Sequence, residues 1–196
     1  MIKILHRINT KKYLIDTPIK YGVEVDVRSN KDKLIISHDP FISGEDFMDW
    51  ISAYKHKILI LNVKEEGLEE KLISIMLDLE ISNFFFLDQS FPFLLKTSRG
   101  GESRSAVRVS EFEDIHTAMN LAGTVDWVWV DCFSCFPLGK KEADILQKEG
   151  KFRLCFVSPE LQNRENKEGI INFRKKIEKE GIIGDAVCTK YPDLWV

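Results

Sequence analysis

The sequence predicts an α/β fold, a compact (β/α)8 TIM barrel occupying residues 1–196 as a single domain. Its first connection is short and no long helix follows the last strand. Three observations carry this reading. Eight apolar runs of strand length recur along the chain, amphipathic segments lie between most of them, and polar residues cluster where the runs end. A length of 196 residues is near the lower limit of such barrels, about 200 residues.

The strands are expected at 2–6, 23–28, 58–64, 84–88, 106–110, 127–131, 154–158 and 186–189, with a short pairing extension at 34–37. Most are apolar on both faces, as parallel strands covered by helices are. Phe84-Phe85-Phe86 and Trp127-Val128-Trp129 belong to this pattern and read as packing residues. The Ile8–Tyr21 connection contains Pro18 and has room for little helix. Amphipathic segments follow at 45–54 and 68–79. Ser110, with Glu113 at capping-box spacing, is expected to cap a helix that Gly123 stops. Helical patterns at 140–148 and 161–180, the second interrupted at Gly169, complete the set. An open doubly wound sheet is the alternative, but no Gly-rich phosphate loop follows the first strand.

Composition narrows the function classes. Hydrophobic residues make up 44% and charged residues 30%, ordinary globular values. With 28 basic against 31 acidic side chains the net charge is −3, which gives no bulk attraction to nucleic acid. No apolar run reaches membrane-span length, and the first twelve residues hold too short an apolar stretch for a signal peptide. A cytoplasmic location is the expectation. Cys132 and Cys135 form a lone C-x-x-C without the second pair a zinc site wants, so the four cysteines read as reduced, mostly buried thiols. His56 and His116 read as exposed.

The chemistry centres on residues 21–39, a strand, a polar turn and a second strand ending at His38-Asp39. Alternation puts Glu24, Asp26 and Arg28 on one face and Val23, Val25 and Val27 on the other. Two carboxylates on one buried face need compensation, which a hard divalent cation or the neighbouring Arg28 and Lys64 would supply. His6, Lys64, Asp88, Ser110, Asp131, Ser158 and Lys190 also sit at strand C-termini, the end where barrels of this type place their active sites. Asp88, Arg108 and Asp131 suit an ionic network beneath the mouth. Phe41 and Trp195 are candidates to line it.

With these residues in place, the sequence resembles the glycerophosphodiester phosphodiesterase family, one of the phosphatidylinositol-phospholipase-C-like barrels. The resemblance rests on His6-Arg7, Glu24-Val25-Asp26-Val27, His38-Asp39-Pro40 and Asn62-Val63-Lys64. Thr189-Lys190-Tyr191-Pro192 resembles the family's eighth-strand Thr-Asp-x-Pro. Ile8 replaces the Gly after His-Arg, Asn62 replaces a Glu, and Lys190 replaces an Asp. The absence of a long insertion after Asp39 implies a slight substrate cover. The resemblance implies His6 and His38 as the acid/base pair, because imidazole titrates near neutrality. Glu24, Asp26 and Asn62 would hold one Mg2+ or Ca2+, and Arg7 and Lys64 would bind phosphate oxygens. The implied partner is a small-molecule glycerophosphodiester. The alternative is a catalytically degenerate barrel that binds a phosphate- or sugar-bearing ligand, which the neutral Asn62 favours.

Overall fold

The computed structural model describes residues 1–162 and 166–195. Ten strands form one sheet: β1 Ile2–Leu5, β2 Gly22–Asn30, β3 Lys33–Ile36, β4 Glu45–Asp46, β5 Leu59–Val63, β6 Phe84–Leu87, β7 Ala106–Val109, β8 Trp127–Val130, β9 Arg153–Val157 and β10 Ala186–Thr189. Eight of them pair in parallel in the order β6-β5-β2-β1-β10-β9-β8-β7. The hairpin partner β3 pairs antiparallel with the outer length of β2, and the short β4 pairs antiparallel with β3. The sheet curls as in a TIM barrel, but β6 and β7 share only one bridge, Phe86 to Ser105. The closed barrel expected from sequence is therefore corrected to an open, curled sheet of eight parallel strands.

Alternation along the strands sorts the core into an inside and two outsides. Phe85, Leu87, Trp127, Trp129, Cys155 and Cys188 point inward with Ile4 and Ile60. Phe84, Phe86, Val23, Val25 and Val27 face one helical layer, and Val107, Val109, Val128 and Phe156 face the other. Inside, Phe85 stacks on Trp127 with ring centroids 4.6 Å apart.

The helices are α1 Lys11–Asp16, α2 Phe47–Ile51, α3 Glu69–Asp78, α4 Phe91–Arg99, α5 Ile115–Met119, α6 Lys140–Asp144 and α7 Lys167–Lys179. Four have a side-chain cap: Thr10, Asp46, Asp114 and Asn166 each accept a first-turn backbone N–H. Trp50 on α2 donates its indole N–H to the Ile8 carbonyl at 3.0 Å, tying down the loop after β1. Several local expectations are corrected. Ser110 and Glu113 hydrogen-bond to each other in a turn, and the helix starts only at Ile115 behind Asp114. The last helical pattern is not broken at Gly169, whose N–H is capped by Asn166. Helix α4 was not anticipated: it opens Phe-Pro, and its N-cap Ser90 makes no side-chain cap bond.

Phe85→Ala is expected to cost about 3–5 kcal/mol, since it removes the centre of the interior layer and leaves Trp127 without its stacking partner. Equilibrium denaturant unfolding measures this, and a loss below about 1 kcal/mol would show that the interior repacks around the gap.

Candidate active site

Glu24 and Asp26 are fully buried at the inner face of β2, where that strand pairs with β5 and places Asp26 beside Asn62. An isolated carboxylate there would be costly, so its neighbours decide whether the strand can hold it. The loop after β1 supplies most of them. Arg7 takes the left-handed region at φ +53, and Ile8 N–H donates to the Glu24 carbonyl at 2.8 Å. Arg7 N–H then donates to Glu24 Oε2 at 2.6 Å, while the Asn62 amide donates to Oε1 at 2.9 Å. Asn9 brackets Asp26, donating to Oδ2 at 2.7 Å and accepting the Asp26 N–H at 3.0 Å. Lys64 Nζ lies 3.2 Å from Asp26 Oδ1 and 3.3 Å from Asp88 Oδ2.

These contacts leave two buried oxygens without a hydrogen-bond partner, Asn62 Oδ1 and Asp26 Oδ1; the approach of Lys64 to the latter is an ionic contact lacking hydrogen-bond geometry. Among the described residues no three His, Cys, Asp or Glu side chains converge as a metal-binding group. The donors that could hold a hard cation are therefore Glu24, Asp26 and the Asn62 carbonyl oxygen, an all-oxygen set of the kind Mg2+ and Ca2+ take.

His6, on the residue after β1, brings Nε2 to 3.9 Å from Glu24 Oε2. Burial pushes its pKa down to about 3, with help from the Arg7, Lys190 and Lys64 cations and against the pull of Asp26. The imidazole is thus neutral, and its approach to Glu24 is not an ion pair. Burial, reinforced by the Asp26 carboxylate, pushes Glu24 up to about 7, opposed by the bonds from Arg7 and Asn62. His38 stands at the rim beyond β3, half-exposed. Its Nδ1 is 2.8 Å from Asp39 Oδ1 and its Nε2 meets the Arg7 guanidinium, whose Nε lies 3.8 Å from Asp26 Oδ2. A guanidinium can only donate, so Nε2 accepts and the proton sits on Nδ1, facing Asp39.

His6, Arg7, Glu24, Asn62 and Lys64 line one small pocket of about 140 Å3. Its far wall is the expected ionic network: Arg108 pairs with Asp131 at 3.0 Å and with Asp88. Gln162 donates to Asp131 at 2.8 Å. Asn9, in the Asn9-Thr10 pair that resembles the family's Asn-Thr, had no expected site role, nor had Gln162, and Asp39 had none apart from its motif. Asn9 follows β1 by four positions, and no periodicity marks it.

Other expectations are redistributed. Arg28 neutralises neither buried carboxylate; it donates to the His38 and Lys64 carbonyls at 3.1 Å and so sets the rim. Ser110 and Ser158 turn to Glu113 and Glu160. Trp195 does not line the mouth: it is buried, with its indole N–H on Ser158 Oγ at 3.1 Å. Phe41 is fully exposed. His56 is buried rather than exposed, with Nε2 3.0 Å from the Thr17 carbonyl, whereas His116 is exposed as expected. Cys135 is the exposed member of four free thiols. No described helix is long and apolar enough to cross a membrane.

The pocket sits at the carboxyl ends of the parallel strands and brings a buried carboxylate, cations and a neutral imidazole together. No protein-family model matches the sequence, and no curated protein matches it. Solved structures do match the fold. A glycerophosphoryl diester phosphodiesterase from Parabacteroides distasonis aligns with a TM-score of 0.64 at 12% identity, over 99% of this chain and 84% of that one. A glycerophosphodiester phosphodiesterase from Agrobacterium tumefaciens aligns at 0.61 and 13% identity, over 100% and 99%. The fold this chain shares with them is the one its motifs resemble.

The raised Glu24 pKa gives a signed stability prediction. Between the ordinary value of 4.5 and about 7 the folded state holds a proton that the unfolded chain releases, so this group's contribution to stability falls as pH rises through that window. Glu24→Gln removes the effect. Its stability relative to wild type is expected to improve by roughly 1–3 kcal/mol on going from pH 4.5 to pH 8, read by denaturant titration. A pH-independent difference between the two proteins would contradict the raised value.

Proposed function

We propose that the chain is a phosphodiesterase that hydrolyses a small glycerophosphodiester-like substrate, using His6 and His38 for proton transfer and one divalent cation. The observation that carries this reading is the placement of the Arg7 guanidinium. It lies between the His38 imidazole and the Asp26 carboxylate, at the edge of the pocket lined by His6, Glu24, Asn62 and Lys64. The fold shared with two phosphodiesterases supports it.

Phosphodiester cleavage needs negative charge neutralised, an attacking hydroxyl deprotonated and a leaving oxygen protonated. Arg7 and Lys64 present donors to the phosphate oxygens. Neutral His6 offers a lone pair for the proton of the attacking hydroxyl, and a bound anion offsets the part of its pKa depression that the cations add to burial. His38, oriented through Nδ1 by Asp39, protonates the leaving alcohol from Nε2 once it carries the second proton. Glu24, Asp26 and Asn62 are the residues that would hold Mg2+ or Ca2+, which supplies Lewis-acid stabilisation of phosphate charge when bound.

One observation favours a second reading, a binding module without turnover. Asn62 contributes no charge, and its amide N–H is spent on Glu24.

Hydrolysis of glycerophosphodiesters with Mg2+, Ca2+, Mn2+ or chelator separates the two. The expected result is metal-dependent turnover that falls at least about 100-fold in His6→Ala and in His38→Ala. Tight phosphodiester binding with no turnover under any metal would establish the binding module instead. Asn62→Glu restores an anionic donor and is expected to tighten divalent-cation binding by about tenfold or more in calorimetry. Unchanged affinity would remove Asn62 from the ligand set.

A further inference from the structure

The parallel ladder stops between β6 and β7. Phe86 N–H donates to the Arg104 carbonyl at 2.9 Å, and beyond the single bridge to Ser105 there is no further rung among the described residues. Asp88, the residue after β6, takes the left-handed region at φ +59, a conformation Asp tolerates better than most residues. Its carboxylate pairs with Arg108 across the gap, a side-chain link where a rung would otherwise lie.

The gap is a cavity of about 740 Å3. Leu87 and Ala106, which point into the barrel interior, line it together with Val107 and Leu94, which belong to the helix-side core. A continuous sheet would keep those two sets apart, so the cavity passes through the sheet. It shares Leu87, Asp88 and Arg108 with the catalytic pocket. That pocket is smaller, about 140 Å3. The seam cavity is in the size range of small-molecule sites.

Its polar lining is already largely engaged by the chain. Asp88 pairs with Arg108 and Lys64, Glu113 accepts from Ser110, and Asp114 caps α5. Apart from Gln89, the side chains that stand out in the lining are apolar. Phe91 is 47% exposed and Phe112 is 78% exposed, and both line this cavity. Single exposed apolar side chains are ordinary, but two flanking one channel into a reactive pocket form a recognition surface. Gln89 Oε1, buried without a partner, leaves an acceptor for a substrate hydroxyl.

We propose that the open β6–β7 seam is a lateral subsite for a hydrocarbon substituent, acyl or aryl, on one alcohol of the phosphodiester. This rests on the phosphodiesterase reading and names the substrate class for it. The phosphoryl group lies at His6 and Arg7, and the apolar group runs out between α4 and α5 past Phe91 and Phe112.

The test uses the full chain and three probes: inorganic phosphate, methyl phosphate and dodecyl phosphate below its micelle concentration. Calorimetry is expected to give dodecyl phosphate an affinity at least about tenfold above methyl phosphate. Phe112→Ala, at an exposed position, should reduce that preference several-fold, and Thr117→Trp, which fills the cavity from exposed α5, should abolish it. Inorganic phosphate should bind all three proteins alike. Equal affinity for the two alkyl phosphates overturns the subsite. So does a preference that survives or rises in Thr117→Trp, because added indole surface strengthens only nonspecific adsorption. Turnover of methyl and dodecyl aryl phosphodiesters keeps the two readings apart. Chain-length-dependent binding without turnover keeps the subsite and sinks the phosphodiesterase; turnover with KM independent of chain length does the reverse.

Discussion

Two carboxylates buried on adjacent inward positions of one strand are the constraint on which the rest of the site depends. Glu24 and Asp26 have no access to water, so each oxygen must be met by a donor, a charge or a proton. The donors come from two places: Arg7 and Asn9 from the loop after β1, Asn62 and Lys64 from β5 and its end. The left-handed turn at Arg7 and the indole bond from Trp50 to Ile8 exist in the service of that loop. The same geometry that satisfies the carboxylates brings a neutral imidazole, a guanidinium and an ammonium into one small space. Solving the burial problem and assembling an anion pocket are here a single act of folding.

Much of this was legible in the sequence, for stated reasons. Strands apolar on both faces announce themselves, and residues that end them fall on one rim, which puts His6, Asp26 and Lys64 at the same end of the sheet; the family resemblance adds Glu24 and Asn62. The contacts that cross the chain were not legible. Asn9 matters because it reaches Asp26 seventeen positions away, and apart from the Asn9-Thr10 resemblance nothing local gives it that role. Ser110 and Glu113 have capping-box spacing, yet their side chains bond to each other and the helix begins later, a case of one polar pair serving either a cap or a turn. Helix α4 hid behind an apolar opening that reads as loop or strand.

The open seam was the least readable feature. Ala106–Val109 has the composition of every other strand, yet on one side the chain meets β6 only through the bridge from Phe86 to Ser105. Sequence patterning specifies which face a strand buries far more strongly than whether its last neighbour completes the ring. In this chain that undetermined edge borders the reactive pocket, and an ion pair rather than a backbone ladder spans it.

The central claim is that burial and a neighbouring carboxylate hold Glu24 in a charge state set by its pocket rather than by solvent. Carbon-13 NMR titration of the Glu24 side-chain carboxyl in metal-free protein reads that state at the atom concerned. A midpoint near 7 is expected, moving down when a divalent cation is added. A midpoint at the ordinary 4.5, indifferent to the cation, would contradict the claim.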